Sequence, residues 1–132
     1  MDLEIIKIAS NTENHKIIKN CTHSSKQKNS ICGDEMQISL ILKNNKIIDF
    51  GYQCKSCIFC QASVSLLSRK VTNKPIEKIK KFINESDSFF NEKPIQLPAE
   101  WNIFKKIFNT KNTSRKECLL LPFKALSKAL NS

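Results

Sequence analysis

The 132-residue chain carries 22 basic and 12 acidic side chains, a formal net charge of +10, and six cysteines; this length suits one domain, 1–132, that needs no disulfide framework to bury a core. No run is long and apolar enough for a membrane span, and MDLEIIKIAS, with its early acids and no small-residue cleavage site, does not resemble a secretory leader, so a cytoplasmic protein is expected. Thiols there stay reduced, which turns six cysteines toward metal or sulfur chemistry. The lysines are spread without a basic block or aromatic interleaving, so they read as a solvated surface, with an acidic protein partner compatible and nucleic acid not expected.

Leu3, Ile5, Ile6, Ile8 and Ala9 form a short apolar run expected to be a helix packed on the hairpin that follows. From Asn11 to Ser30 the chain is polar and reads as an extended linker. Cys21 and His23 lie within it, but a Cys-x-His pair with no second pair at zinc-finger spacing is read as peripheral.

Ile31 to Leu67 is the organising stretch, with four of the six cysteines. Met36, Ile38, Leu40 and Leu42 alternate along one strand and Ile48, Phe50 and Tyr52 along the next, the period of half-buried strands, with Asn44-Asn45 as the turn. Two registers compete. A two-residue loop would set Cys32 opposite Cys57, whereas the hydrophobic pattern prefers a three-residue loop pairing Leu42 with Ile48, Leu40 with Phe50 and Ile38 with Tyr52. Either way Cys32, Asp34 and Cys57 gather at the open end of the hairpin, where they suit a metal or sulfur site better than core filling.

After Cys57 the period becomes helical: Phe59, Ala62 and Leu66, with Ser63, Leu67 and Val71, lie on adjoining faces. Cys57 at that helix start meets unpaired N–H groups and the positive end of the dipole, which favour a thiolate. Pro75 suits the first turn of a short helix carrying Ile76, Ile79, Phe82 and Ile83. A loop is expected from Asn84 to Gln96, with Phe89 and Phe90 as anchors. Pro98 is expected to open a helix whose face, Trp101, Phe104, Ile107 and Phe108, is core. After a polar connector from Asn109 to Glu117, Leu119, Phe123, Leu126 and Leu130 define a closing amphipathic helix. Pro122 is expected in its first turn. Cys118 then stands at the N-terminal end of that helix, with Arg115 and Lys116 upstream to lower its pKa and Glu117 opposing them.

Three cysteines beside the ends of regular elements, together with Asp34, would suit a tetrahedral zinc site or an iron–sulfur cluster. Spacing alone does not bring Cys118 to the other two. At these residues, however, the chain resembles the NifU-like iron–sulfur cluster assembly family, which includes the IscU and SufU proteins. Cys32-Gly33-Asp34 matches its Cys-Gly-Asp, Ser56-Cys57 with Ala62-Ser63-Val64-Ser65 its helix entry, and Arg115-Lys116-Glu117-Cys118 its Arg-x-x-Cys. The long segment from Cys57 to Cys118 is most similar to the SufU type. The resemblance implies an α+β fold, with a small hairpin-based antiparallel sheet packed against several helices. It further implies Cys32, Asp34, Cys57 and Cys118 as ligands of zinc or of a [2Fe–2S] cluster in the same site, with Asp34 also aiding cluster release. It implies Cys118 as acceptor of a persulfide from a cysteine desulfurase of the SufS or IscS kind, and downstream iron–sulfur proteins as recipients. Such a protein is a scaffold rather than an enzyme; any enzymatic activity would be that of a zinc-dependent sulfurtransferase.

Departures from the pattern cluster near the site: Ser56 and Cys54 stand where glycines are common, Cys60 replaces a small residue, and Glu117 takes the place of a histidine or lysine. Cys54, Cys60 and Arg115 are therefore read as supporting residues. Cys54-x-x-Cys57-x-x-Cys60 also echoes a ferredoxin cluster run, making an electron carrier the first rival, but Gln61-Ala62 follows where that run continues with Cys-Pro. Zinc-stabilised basic modules and metal-free α+β domains are the remaining rivals.

Overall fold

Asn44 and Asn45 both adopt left-handed backbone, with φ of 54° and 61°, the conformation that a two-residue hairpin turn of the right twist demands. They join β2 (Glu35–Lys43) to β3 (Lys46–Lys55), and the computed structural model, which describes residues 3–29, 33–91, 99–108 and 110–131, shows how the two competing registers are resolved. Next to the turn Lys43 pairs with Lys46 and Leu42 with Ile47; the register then shifts between Ile41 and Leu42, and beyond it Leu40 faces Phe50, Ile38 faces Tyr52 and Met36 faces Cys54. The tight turn and the preferred apolar pairing coexist because one strand bulges. The expected pairing of Leu42 with Ile48 is thereby corrected: Ile47 is fully buried and Ile48 is exposed.

A third strand, β1 (His23–Lys28), pairs antiparallel with β2 and makes β2 the central strand. This corrects the reading of Asn11 to Ser30 as a linker. HSSKQK has little apolar signal, and the ladder with β2 supplies what its composition does not. Ser25 alone turns inward, donating its hydroxyl to the Ala125 carbonyl at 2.5 Å.

Ahead of β1 the chain runs along the free edge of β3, where the Tyr52 N–H donates to the Asn14 carbonyl at 3.1 Å. It passes so close to Gly51 that a Cβ there would lie 2.7 Å from the Lys16 carbonyl oxygen; no larger residue fits. The edge is covered by the protein's own chain.

Among the described residues four α-helices complete the fold: α1 (Leu3–Ala9), α2 (Ile58–Val71), α3 (Ile76–Asn91) and α4 (Lys116–Leu130). Helix α1 packs on α2 rather than on the hairpin, and α4 lies against β1, β2, α2 and α3. Helix α3 is longer than expected: it continues through the polar stretch after Asn84, with Ser86 buried and its hydroxyl turned back to the Phe82 carbonyl. Ala99–Lys106 and Thr110–Arg115 are 3-10 helical, where an α-helix and an irregular connector were expected. Pro98 and Gln96 lie outside the described residues.

Trp101, Phe104, Ile107 and Phe108 are core, as their spacing predicts. Phe82 of α3 stacks on Trp101 with ring centroids 4.1 Å apart, and Phe123 of α4 meets both Phe82 and Phe104 edge-on. Pro122 sits in the second turn of α4, not the first. A proline there has no N–H to offer the carbonyl four residues back.

Candidate metal centre

The candidate site lies where three elements begin. Asn29, just after β1, donates its N–H to the Asp34 carbonyl at 2.7 Å, and Gly33 donates back to the Asn29 carbonyl at 2.8 Å. Gly33 has φ of +75°, a conformation glycine adopts without penalty. This closed turn aims Asp34 from the start of β2 into the molecule, where the residue is buried.

Cys57 is the N-cap of α2, which places it between the end of β3 and the first helical turn, half-buried. Cys118 is the third residue of α4 and is 5% exposed. Helix α4 is held in place partly by Ser63, whose hydroxyl donates to the Leu119 carbonyl at 2.6 Å, across the interface between α2 and α4. The serines of the Ala62-Ser63-Val64-Ser65 run thus act as buried cross-links, since Ser65 likewise donates to the Asn11 carbonyl at 2.7 Å. The positioning role of Ser63 is absent from the sequence reading; a serine on an otherwise apolar helix face was its only signal.

The outcome is a convergence of one carboxylate and two thiols: ligand atoms of Asp34, Cys57 and Cys118 all lie within 4.8 Å of one another. Asp34 Oδ2 is buried and has no hydrogen-bond partner among the described residues. Leaving such an atom unpaired costs free energy, and a cation among these donors would remove that cost. The chemistry of the donors also fits, because two sulfurs and a carboxylate oxygen suit zinc. Ligand bonds of about 2.0–2.3 Å imply tetrahedral ligand separations of roughly 3.3–3.8 Å, so the set needs to contract by only about an ångström.

Cys32 lies outside the described residues, and the site is built without it. Cys54 is half-buried on β3, and Cys60 is fully buried on the first turn of α2; neither belongs to the converging set. Burial pushes the Cys54 thiol up from its ordinary 9.0, the Ser56 hydroxyl draws it back, and the charges of Asp34 and Cys57 push it further up. The same causes drive Cys60 well above that value, burial first. These two are neutral thiols at physiological pH. Cys54 and Cys60 do not join Cys57 in the converging set found among the described residues, and Cys60 is sealed in the core.

Arg115 is the N-cap of α4, with its guanidinium over the Phe59 ring at 5.3 Å. Glu117 pairs with Lys124 at 3.2 Å on the solvent side of α4. Cys21 is partly exposed and His23 opens β1; neither joins the converging set.

The family described as NifU-like N terminal domain matches residues 3–100. An uncharacterized protein of Borreliella burgdorferi is 32% identical over 124 residues, covering 90% of this chain and 82% of its own. The iron-sulfur cluster assembly scaffold protein IscU of Thermotoga maritima is 25% identical over 103 residues, 78% of this chain and 72% of its own. Two crystal structures share the fold with a TM-score of 0.90: a NifU-like N-terminal protein of Brucella abortus at 18% identity, covering 98% of this chain and 91% of its own, and a SUF-system scaffold protein, SufU, of Fervidobacterium islandicum at 22% identity, covering 98% and 96%.

Proposed function

The chain belongs to the NifU-like N-terminal family of iron–sulfur cluster assembly scaffolds, and from that premise we propose that it accepts sulfur from a cysteine desulfurase and holds a nascent cluster among Cys32, Asp34, Cys57 and Cys118. The observation that carries this reading is the convergence of the buried Asp34 carboxylate with two thiols that arrive from separate helix starts. With Cys32, which precedes Gly33 in the sequence, the proposed set has three sulfurs and one oxygen. In the resting protein that set suits zinc; during assembly its cargo is a [2Fe–2S] cluster.

A bound zinc ion would keep its thiolates deprotonated at neutral pH and protect them until the sulfur donor docks. The chain's own part is to present Cys118. Its thiolate attacks the outer sulfur of the desulfurase persulfide, a new Cys118 Sγ–S bond forms, and the desulfurase cysteine leaves as thiolate. Cys57 and Cys118 both stand at helix N-termini, whose N–H groups face the incoming negative charge. Asp34 offers a harder, more labile donor than a fourth thiolate, which suits a site that must give its cargo away.

No helix among the described residues is long and apolar enough to cross a membrane. We place the protein in the cytoplasm, with a desulfurase and iron–sulfur acceptor proteins as partners, acting as one domain and as a scaffold before an enzyme. Metal analysis of protein purified without chelator, before and after Cys118→Ala, tests the site. Near-stoichiometric zinc or iron that falls in the variant is expected, and trace metal in the unaltered protein would overturn the reading. Mass spectrometry after incubation with desulfurase and cysteine should find added sulfur on Cys118; sulfur confined to Cys21 would refute the acceptor assignment.

A further inference from the structure

We infer that the outer edge of β1 is a docking strand, which takes up an extended segment of a partner protein carrying acidic side chains at every second position. The inference goes beyond the proposed function and uses no residue of the metal centre.

Strand β1 is an outer strand of the sheet, and its register fixes which backbone groups face outward. The Asn29 N–H donates to the Asp34 carbonyl, so Asn29 faces the side of β2. Alternation from that point turns Gln27, Ser25 and His23 toward their partners on β2, and turns Ser24, Lys26 and Lys28 away from it. The Lys26 carbonyl bears this out, since it accepts from Lys128 Nζ at 3.2 Å. The opposite edge of the sheet, along β3, is covered by the chain that passes Tyr52 and Gly51. Among the described residues no strand or bridge covers β1 in the same way. An exposed ammonium there occupies a carbonyl that an added strand would bond.

Charge selects the occupant. The side chains of Ser24, Lys26 and Lys28 are all exposed on one face of the sheet, and neither lysine forms an ion pair among the described residues. A second copy of the chain paired on this edge would gather Lys26 and Lys28 of both copies on that face, and lysines on an edge strand oppose such pairing. A segment with Asp or Glu opposite Lys26 and Lys28 is matched instead. Its intervening side chains fall on the other face, toward α4. There Lys128 borders a groove of about 330 Å³ lined by Ile83, Leu120 and Phe123, with Asp87 on its α3 wall. Apolar side chains suit that position, and Asp87 disfavours a further acid. Main-chain bonds to the edge supply affinity, and the alternating side chains supply specificity.

The probe is a short peptide of alternating glutamate and valine, blocked at both ends and offered to the full chain. Hydrogen exchange followed by NMR should show the amides of Ser24, Lys26 and Lys28 becoming protected when the peptide binds. N-methylation of the glutamates, whose N–H groups face the edge in this pairing, keeps the charge and should abolish binding. Lys26→Glu with Lys28→Glu should weaken binding of the glutamate peptide by about tenfold and create binding of the matching lysine–valine peptide; an unchanged melting temperature verifies its fold. Failure of the glutamate peptide to bind, equal binding of its methylated form, or binding without protection of the three amides would overturn the inference. Protection of the same amides by raised protein concentration alone would assign the edge to a second copy and overturn it too. None of these readouts depends on bound metal, so they stand apart from the tests of the metal centre.

Discussion

Replacing Asp34 by alanine should make the metal-free protein more stable and the metal-bound protein less so. Asp34 Oδ2 is buried without a partner among the described residues, and a buried polar atom left unpaired costs about 1–3 kcal/mol. Removing the carboxylate recovers part of this, while the turn survives because the Asn29 N–H donates to the backbone carbonyl of residue 34 and not to its side chain. Allowing for lost packing, the gain is about 1–2 kcal/mol, or roughly 3–8 °C in Tm for a domain of this size. With zinc present the sign reverses. Losing one ligand lowers affinity by about tenfold or more, and each tenfold removes about 1.4 kcal/mol of ligand-linked stability at fixed zinc. Thermal unfolding followed by circular dichroism, once in chelator and once in excess zinc, reads both effects. A variant that melts below the parent in chelator and keeps the full zinc-induced shift would refute the assignment of Asp34 as a ligand.

Ser63→Ala should cost about 1 kcal/mol by removing the bond to the Leu119 carbonyl, and zinc competition should show weaker binding, because Cys118 lies beside that carbonyl. Phe82→Ala, which opens the stack on Trp101, should cost about 3–5 kcal/mol in urea unfolding. Asn45→Gly should stabilise by about 0.5 kcal/mol, and Asn45→Val should destabilise by about 1 kcal/mol or more, because the residue has φ of 61°. Stability of the metal-free protein should fall as the pH rises above about 9: the folded Cys54, Cys60 and Tyr52 hold their protons more tightly than the unfolded chain does, chiefly through burial, so the unfolded state binds fewer protons there. Urea titrations at pH 7 and pH 10 measure the slope, and Cys60→Ala should flatten it.

The hairpin was legible because its signal is local: alternating apolar residues and an Asn-Asn turn each fix their own conformation. The start of α2 at Cys57 and the core face of Trp101, Phe104 and Phe108 were legible for the same reason. Strand β1 was not, since HSSKQK becomes a strand only by pairing with β2, a partner some dozen residues away. The bulge that buries Ile47 in place of Ile48 was hidden because it settles two locally reasonable registers that no single strand reveals. Motif order singled out the candidate residues, but the meeting of Cys118 with Asp34 and Cys57 depends on how α4 docks against α2. Ser63 contributes to that docking from a position that looks like any helical serine.

The proline in α4 has a mechanical consequence. Pro122 has no N–H to extend the ladder of α4 by the usual rung, while the Ser63 hydroxyl ties Leu119 sideways to α2. Cys57 and Cys118 therefore belong to two helices tied to each other, whereas Asp34 enters at the start of β2, next to the left-handed Gly33. A substitution that disturbs the contact between α2 and α4 would shift one thiol against the other, whereas one at Gly33 would shift the carboxylate and leave both thiols where they are.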